Sequence, residues 1–299
     1  MTEADNPANL PAWSVAGRRV VITGATNGIG LAAAEALAQR GANLTLVARS
    51  EARAAEAAAR VQAAGGGAAP ADVMIADLSS QAEVRRLAAG LLERYRRIDV
   101  LVNNAGALFT TRRLTAEGIE ATWALIHLAP FLLTNLLLDR LKQNPPARII
   151  TTSSDAHRRA QIPFDDLNAE RSYPRRGFSR YGETKLANVL FTAQLARFLE
   201  GSGVTANCFH PGMVATGFGR GNGRLWNLAL ATVRPFSRSP EKGAETLVWL
   251  VDSPDVAEEN GGYFFDMRRA IPTPAAQDMD AARRLWDVSE EQTRTPAGR

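Results

Sequence analysis

The sequence predicts a doubly wound α/β fold: a mostly parallel seven-stranded sheet with helices on both faces. Three observations point to it. Short apolar runs alternate with longer amphipathic ones, a Gly-rich turn joins the first apolar run to the first helix, and no linker or internal repeat interrupts the alternation. At 299 residues the chain can bury one large core, so a single domain over residues 1–299 is expected.

In chain order, strands are expected over 18–23, 43–48, 72–76, 100–103, 148–152, 204–209 and 262–265, each a short apolar run. Amphipathic stretches place helices over 28–40, 50–64, 79–96, 118–142, 178–200 and 240–251. Ser239, Pro240 and Glu241 open the last of these with a capping hydroxyl and a proline at the first helical position. Two segments resist the alternation. Residues 155–177 are polar and irregular, and 212–238 mix Gly and Arg with Phe218, Leu225, Trp226, Leu228 and Leu230. Loops of that length are usually functional, and 212–238 is expected to close over a substrate. Met279, Ala282 and Trp286 share one helical face, so 277–288 should dock as a short helix. Residues 1–15 are expected to be flexible, and 1–12 hold no apolar core of a secretory signal.

Composition narrows the function classes. With 45% hydrophobic and 22% charged residues and no low-complexity tract, the chain is globular. The net charge of +4 comes from arginines interleaved with acids, a solvated surface in which no nucleic-acid face is expected. The apolar stretch 124–138 is broken by His127, Thr134 and Asn135 and falls short of the roughly 20 residues of a membrane span. A buried helix and a soluble, cytoplasmic chain without a membrane anchor are expected. Cys208 is the only cysteine, which excludes an internal disulfide and suits a buried thiol. His127, His157 and His210 lie far apart, without metal-ligand spacing, so no metal is expected. Lysine is limited to Lys142, Lys185 and Lys242 in an Arg-rich chain, which suggests a role that needs an ammonium group.

The first strand runs into Gly24-Ala25-Thr26-Asn27-Gly28-Ile29-Gly30. Glycines there permit a tight turn and close backbone approach to a pyrophosphate, whose charge the free N–H groups of the helix start can receive. The spacing is Gly-x-x-x-Gly-x-Gly. From this point the chain resembles the short-chain dehydrogenase/reductase family, whose fold is a Rossmann fold, over nearly its whole length. The matching pieces are Thr23-Gly24-x-x-x-Gly28-x-Gly30, Asp77-Leu78, Asn103-Asn104-Ala105-Gly106, Ser153-Ser154, Tyr181-x-x-x-Lys185 and Pro211-Gly212. The resemblance implies a nicotinamide dinucleotide held by Gly24, Thr26, Asn27, Gly28, Ile29 and Gly30. It also implies Asp77 and Leu78 at the adenine, and Asn104, Ala105 and Gly106 along the adenosine ribose. Asn103 would tie the central strands together. Pro211, Gly212, Val214 and Thr216 would hold the nicotinamide carboxamide.

The end of the second strand chooses between the two nicotinamide cofactors. It reads Val47-Ala48-Arg49-Ser50, with no acid to hold a ribose 2′-OH and a guanidinium placed for a 2′-phosphate. NADP(H) is therefore expected.

Tyr181 and Lys185 are one helical turn apart and project from the same face. In the family such a tyrosine protonates or deprotonates the substrate oxygen. The neighbouring lysine also holds the nicotinamide ribose, and a serine polarises the carbonyl. A nearby ammonium and the positive nicotinamide ring are expected to lower the phenol pKa from about 10. Strand alternation favours Ser154 over Ser153 for the serine role. Ser154 and His157 do not suggest a hydrolase, because the Gly-x-Ser-x-Gly elbow is missing.

The match fails at one place. The retinol-dehydrogenase-like branch reads approximately Asn-His-Leu-Gly-His-Phe-Leu-Leu where this chain reads Ile126-His127-Leu128-Ala129-Pro130-Phe131-Leu132-Leu133. The asparagine that many members use to relay protons is Ile126, and Pro130 should kink the helix. Three accounts remain open: a relay through a backbone carbonyl freed by the kink, substitution by His127, or an NADP(H)-binding protein with impaired turnover. The branch resemblance also rests on Ser153 to His157, on Lys185-Leu-Ala-Asn188 and on Arg284-Leu-Trp-Asp. It implies a small lipophilic alcohol or carbonyl substrate, and leaves room for a homo-oligomer.

Overall fold

A computed structural model describes residues 13–67, 70–214 and 237–294. The strands are β1 Arg19–Thr23, β2 Asn43–Ala48, β3 Asp72–Ile75, β4 Val100–Asn103, β5 Ala147–Thr152, β6 Val204–Phe209, β7 Tyr263–Phe265 and β8 Arg268–Arg269. They form one sheet in the order β3-β2-β1-β4-β5-β6-β7-β8. Every pairing is parallel except β7 with β8. The seven expected strands are present, and β8 is an eighth. It is two exposed arginines folded back on β7 by a turn at Asp266 and Met267, too polar and short to read as a strand.

The helices are α1 Gly28–Gln39, α2 Glu51–Ala64, α3 Gln81–Arg94, α4 Ala121–Lys142, α5 Phe178–Phe198, α6 Pro240–Asp252 and α7 Met279–Thr293. One apolar layer joins α1, α6 and one sheet face through Leu31, Leu37, Leu247 and Val251; the other joins α3, α4 and α5 through Leu87, Leu133 and Phe191. Crossovers of this kind require helices on both faces, and the chain reverses its strand order between β1 and β4. The carboxyl ends of the central strands therefore open on a crevice at that point.

Helix α4 is long and apolar enough to cross a membrane by length and composition, yet most of it is buried. Pro130 does not break it. The helix widens into a π turn over Ala124–Leu128, with the Ala129 amide donating to Ala124 O. Proline has no N–H for the carbonyl four residues back, and a wider turn absorbs the loss at that point.

The expected flexibility of residues 1–15 is corrected at its end. Trp13 and Val15 are buried. Indole Nε1 of Trp13 donates to Val251 O at 2.8 Å, and the Arg18 and Arg148 guanidiniums each lie 4.0 Å from its ring centroid. The tail helix α7 docks as expected and runs further, to Thr293, burying Ala282, Leu285 and Trp286. Trp286 stacks on Phe191 of α5 at 5.9 Å and meets Phe131 of α4 edge-on at 4.9 Å.

Candidate functional site

The turn after β1 is shaped by its glycines. Gly24 has φ +68, and a Cβ there would lie 2.7 Å from Ala105 Cα. At Gly30 a Cβ would lie 2.4 Å from Gly24 O and 2.5 Å from Asn104 Nδ2. Side chains are excluded because helix and strand ends touch. Asn27 caps α1 with extended backbone and makes no side-chain cap bond, which leaves the first amides of the helix facing the turn. Thr26 and Ile29 are half-buried there.

The next strand ends add to the same edge. Arg49 is exposed after β2 and has no ion pair among the described residues; Ser50, at the start of α2, makes no cap bond. Asp77 accepts from Ser79 N and Oγ at 2.9 and 2.7 Å, folding the chain into α3, and Leu78 is buried beside it. After β4, Gly106 faces Ile126, whose side chain is fully buried 3.8 Å from where a Cβ of Gly106 would stand.

Asn103 does not tie the strands together. Its side chain points onto α4, with Nδ2 donating to Thr134 Oγ1 at 3.0 Å. The tie is Asn104, one residue beyond the strand. Its Nδ2 donates to Thr23 O at 3.1 Å and its Oδ1 accepts from Thr152 Oγ1 at 3.3 Å, linking the ends of β1, β4 and β5. Alternation along β4 sends the Asn103 side chain away from the crevice.

The second half of the site gathers around the end of β5. Ser153 Oγ donates to Lys185 O at 2.8 Å, which makes it part of the scaffold. Ser154 Oγ accepts from Ala156 N at 3.2 Å and is hydrogen-bonded to the Tyr181 phenol. Lys185 is buried, donates from Nζ to Thr152 O at 2.8 Å and lies 5.6 Å from the Tyr181 ring centroid. Ser154, Tyr181 and Lys185 thus come together, and Ser153 points elsewhere.

The electrostatics of the pair are set by burial. Burial pushes the Tyr181 phenol up to about 12, with the Ser154 hydrogen bond opposing, and burial pulls the Lys185 ammonium down to about 7. Both groups lose hydration here, which disfavours the charged form of each. Burial by the protein alone therefore raises the Tyr181 pKa, and the lowering expected above draws also on the positive nicotinamide ring, which is no part of this balance.

The histidines are structural. His127 is fully buried among Trp123, Phe131 and Phe191, with Nε2 at 2.8 Å from Ser289 Oγ of α7, and desolvation takes it down to about 3. It packs against the tail helix, not Lys185. His157 turns Nδ1 to the backbone oxygen of Ser154 at 2.7 Å, leaving the Ser154 hydroxyl to Tyr181. His210 accepts from Gly212 N at 3.2 Å and stacks on Phe265 at 4.1 Å. Cys208 is buried and its thiol is pushed up to about 12. Among the described residues no three potential metal ligands cluster.

After β6, Pro211 and Gly212 (φ +78) form a turn, and Val214 packs with Ile29 against Gly243 of α6. Thr216 and residues 215–236 of the expected substrate loop lie outside the described residues.

One feature beside the site escaped sequence reasoning. Arg180, next to Tyr181, is buried, and its Nε donates to the fully buried Glu120 at 2.8 Å. Glu120 also accepts the Thr122 and Trp123 amides at the start of α4, and Arg180 donates to Leu167 O. An acid just ahead of the apolar run of α4 and a cation beside Tyr181 were the only signals, and nothing local pairs them.

The residues fit a dinucleotide with a 2′-phosphate. The Gly24 and Gly30 cradle would be filled by any Cβ, the start of α1 has no side-chain cap, and Arg49 and Ser50 offer a guanidinium and a hydroxyl at the end of β2.

Comparison with known proteins shows the family. Residues 18–166 match the model of the short chain dehydrogenase family. Retinol dehydrogenase 14 of Mus musculus is 42% identical over 289 residues, covering 92% of this chain and 85% of the relative. Retinol dehydrogenase 13 of Homo sapiens is 39% identical over 282 residues, covering 92% and 84%. The crystal structure of a short chain dehydrogenase from Burkholderia cenocepacia J2315 in complex with NADP superposes with a TM-score of 0.67 at 26% identity, covering 84% of this chain and 96% of that one.

Proposed function

The chain belongs to the short-chain dehydrogenase family, as a retinol-dehydrogenase-like oxidoreductase, and from that premise we propose that it uses NADP(H) to interconvert a lipophilic alcohol and its carbonyl compound, with Tyr181 as general acid/base. The observation that carries this reading is the Ser154–Tyr181 hydrogen bond with Lys185 buried beside it, at the end of β5 and across the crevice from the glycine turn.

NADP(H), when bound, supplies or receives the hydride. The Gly24–Gly30 turn and the start of α1 would hold its pyrophosphate, and Arg49 and Ser50 would hold its 2′-phosphate. In the reductive direction Tyr181 donates its phenolic proton to the substrate oxygen and Ser154 Oγ hydrogen-bonds that oxygen as charge builds on it. A phenol held near 12 keeps its proton at neutral pH, which suits it to act as the acid. Lys185, held near 7, takes up and releases a proton readily at neutral pH, with Thr152 O fixing Nζ. Relatives named for retinol, an apolar alcohol, support a lipophilic substrate.

One observation favours a second reading, an NADP(H)-binding protein with impaired turnover. Ile126 presents a buried hydrocarbon to Gly106 and has no polar atom in its side chain to order a proton-carrying water. NADPH oxidation over aliphatic, aromatic and steroidal carbonyls, with NADH for comparison, separates the two. Wild-type turnover that falls by about 10³-fold in Tyr181→Phe, with NADPH binding kept, establishes the oxidoreductase. Turnover that emerges only in Ile126→Asn establishes the binder. Failure to bind NADPH rejects both.

A further inference from the structure

Beside the reaction centre lies a second cleft of about 530 Å³, whose walls are the segment that follows Ser154 and the first turn of α5, the helix that carries Tyr181. Its lining includes Arg158, Arg159, Arg175, Asp155, Phe178 and Ser179. Three arginines and one aspartate line it, and Asp155 is already engaged by Arg158 at 2.5 Å. Arg159 and Arg175 make no ion pair among the described residues, and the Ser179 hydroxyl makes no hydrogen bond among them. Phe178, 47% exposed, adds an apolar wall beside these charges.

Arg175 is held in the left-handed region at φ +52, a conformation that costs a residue with a Cβ about 1–2 kcal/mol. Its neighbour Gly177 packs so closely on Phe109 O that a Cβ would lie 2.1 Å away, which pins the segment in place. Ala156 both lines the cleft and donates its amide to Ser154 Oγ at 3.2 Å, so the cleft is one residue from the polarising hydroxyl.

We infer that this cleft is a substrate subsite for a carboxylate, so that the enzyme's carbonyl substrates are lipophilic compounds carrying an acidic end. A carboxylate accepts from a planar guanidinium in two parallel bonds, which the two unpaired arginines can supply, and the carbon chain lies along Phe178. The inference rests on the reading of Ser154 and Tyr181 as the reaction centre, and its test is arranged so that the two can fail separately.

Binding is measured by calorimetry on the full chain with octanoate and with octanamide as its uncharged counterpart, for wild type and for Arg159→Ala/Arg175→Ala. Both positions are exposed, so the double variant keeps its fold. Octanoate should bind wild type and lose about tenfold in affinity in the variant, while octanamide binds the two alike. No octanoate binding by wild type, or equal octanoate binding by both proteins, overturns the subsite. With NADPH, wild type should prefer 8-oxo-octanoate over its methyl ester by about tenfold in kcat/KM, and the variant should lose that preference with ester turnover kept. A preference that survives in the variant likewise overturns the subsite. Absence of NADPH-linked turnover with every carbonyl condemns the reaction-centre reading instead and leaves the octanoate result standing.

Discussion

The two halves of the crevice are built on different principles. On the β1–α1 side the working surface is backbone: Gly24 and Gly30 give up side chains so that chain segments touch, and bare amides open α1. On the β5–α5 side it is side chains taken out of water. Lys185, Arg180 and Glu120 are all buried, and Tyr181 is partly so. A backbone cradle needs only local geometry. A buried polar cluster needs partners from distant parts of the chain, because a charge without one is costly. The difference teaches where each half is vulnerable.

The largest expected effect strikes the side-chain half. Arg180→Met leaves Glu120 charged and buried, and urea denaturation should show a loss of about 3–5 kcal/mol. Arg180→Met/Glu120→Gln should recover part of it, since the fully buried charge is then gone and only the partly exposed Glu183 has lost its partner. If the single variant were as stable as wild type, the buried pair would not be what holds α5 to α4.

A smaller effect should come from the backbone half. Gly30→Ala places a methyl group 2.4 Å from Gly24 O, so strand and helix must part. A stability loss of about 2 kcal/mol is expected, with NADPH affinity, read by fluorescence titration, falling at least tenfold. Unchanged NADPH affinity would break the claim that close backbone approach builds this end.

A third effect, a shift of a few degrees in Tm, sharpens the contrast through pH. Lys185 has a folded pKa near 7 against about 10.5 unfolded, so between those values the unfolded chain binds a proton that the folded chain does not. Stability from this group therefore rises as pH climbs from 7 to 10.5 and is lowest at and below 7. Lys185→Met removes that dependence. Its Tm relative to wild type should be higher at pH 7 than at pH 10 by a few degrees, on the order of the linkage energy. A constant offset across that range would mean that Lys185 is not desolvated in the folded protein.

Much of this was legible in the chain itself. Alternating apolar runs placed seven strands and the flanking helices, and the glycine spacing placed the turn, because both are local consequences of side-chain size and polarity. The one-turn separation of Tyr181 and Lys185 put them on one face, and alternation favoured Ser154 over Ser153 at the phenol. Other features were not legible. The Trp13 clamp joins residues 238 positions apart, and β8 is held by a turn rather than by apolar content. Asn103 and Asn104 read alike in sequence, and only the strand's end decides which one reaches its neighbours.

The sequence by itself determined the layered fold, the dinucleotide turn and the grouping of Ser154, Tyr181 and Lys185. The layered fold and the shared face of Tyr181 and Lys185 follow from periodicity and from spacing within single elements; Ser154 and the dinucleotide role of the turn come with the family resemblance. Tertiary structure alone decided the charge state of that group, the π turn that accommodates Pro130 beside Ile126, and the pairing of Arg180 with Glu120. Desolvation and pairing depend on how much water the assembled chain excludes and on which distant segment arrives beside each group, and no stretch of sequence carries either quantity alone.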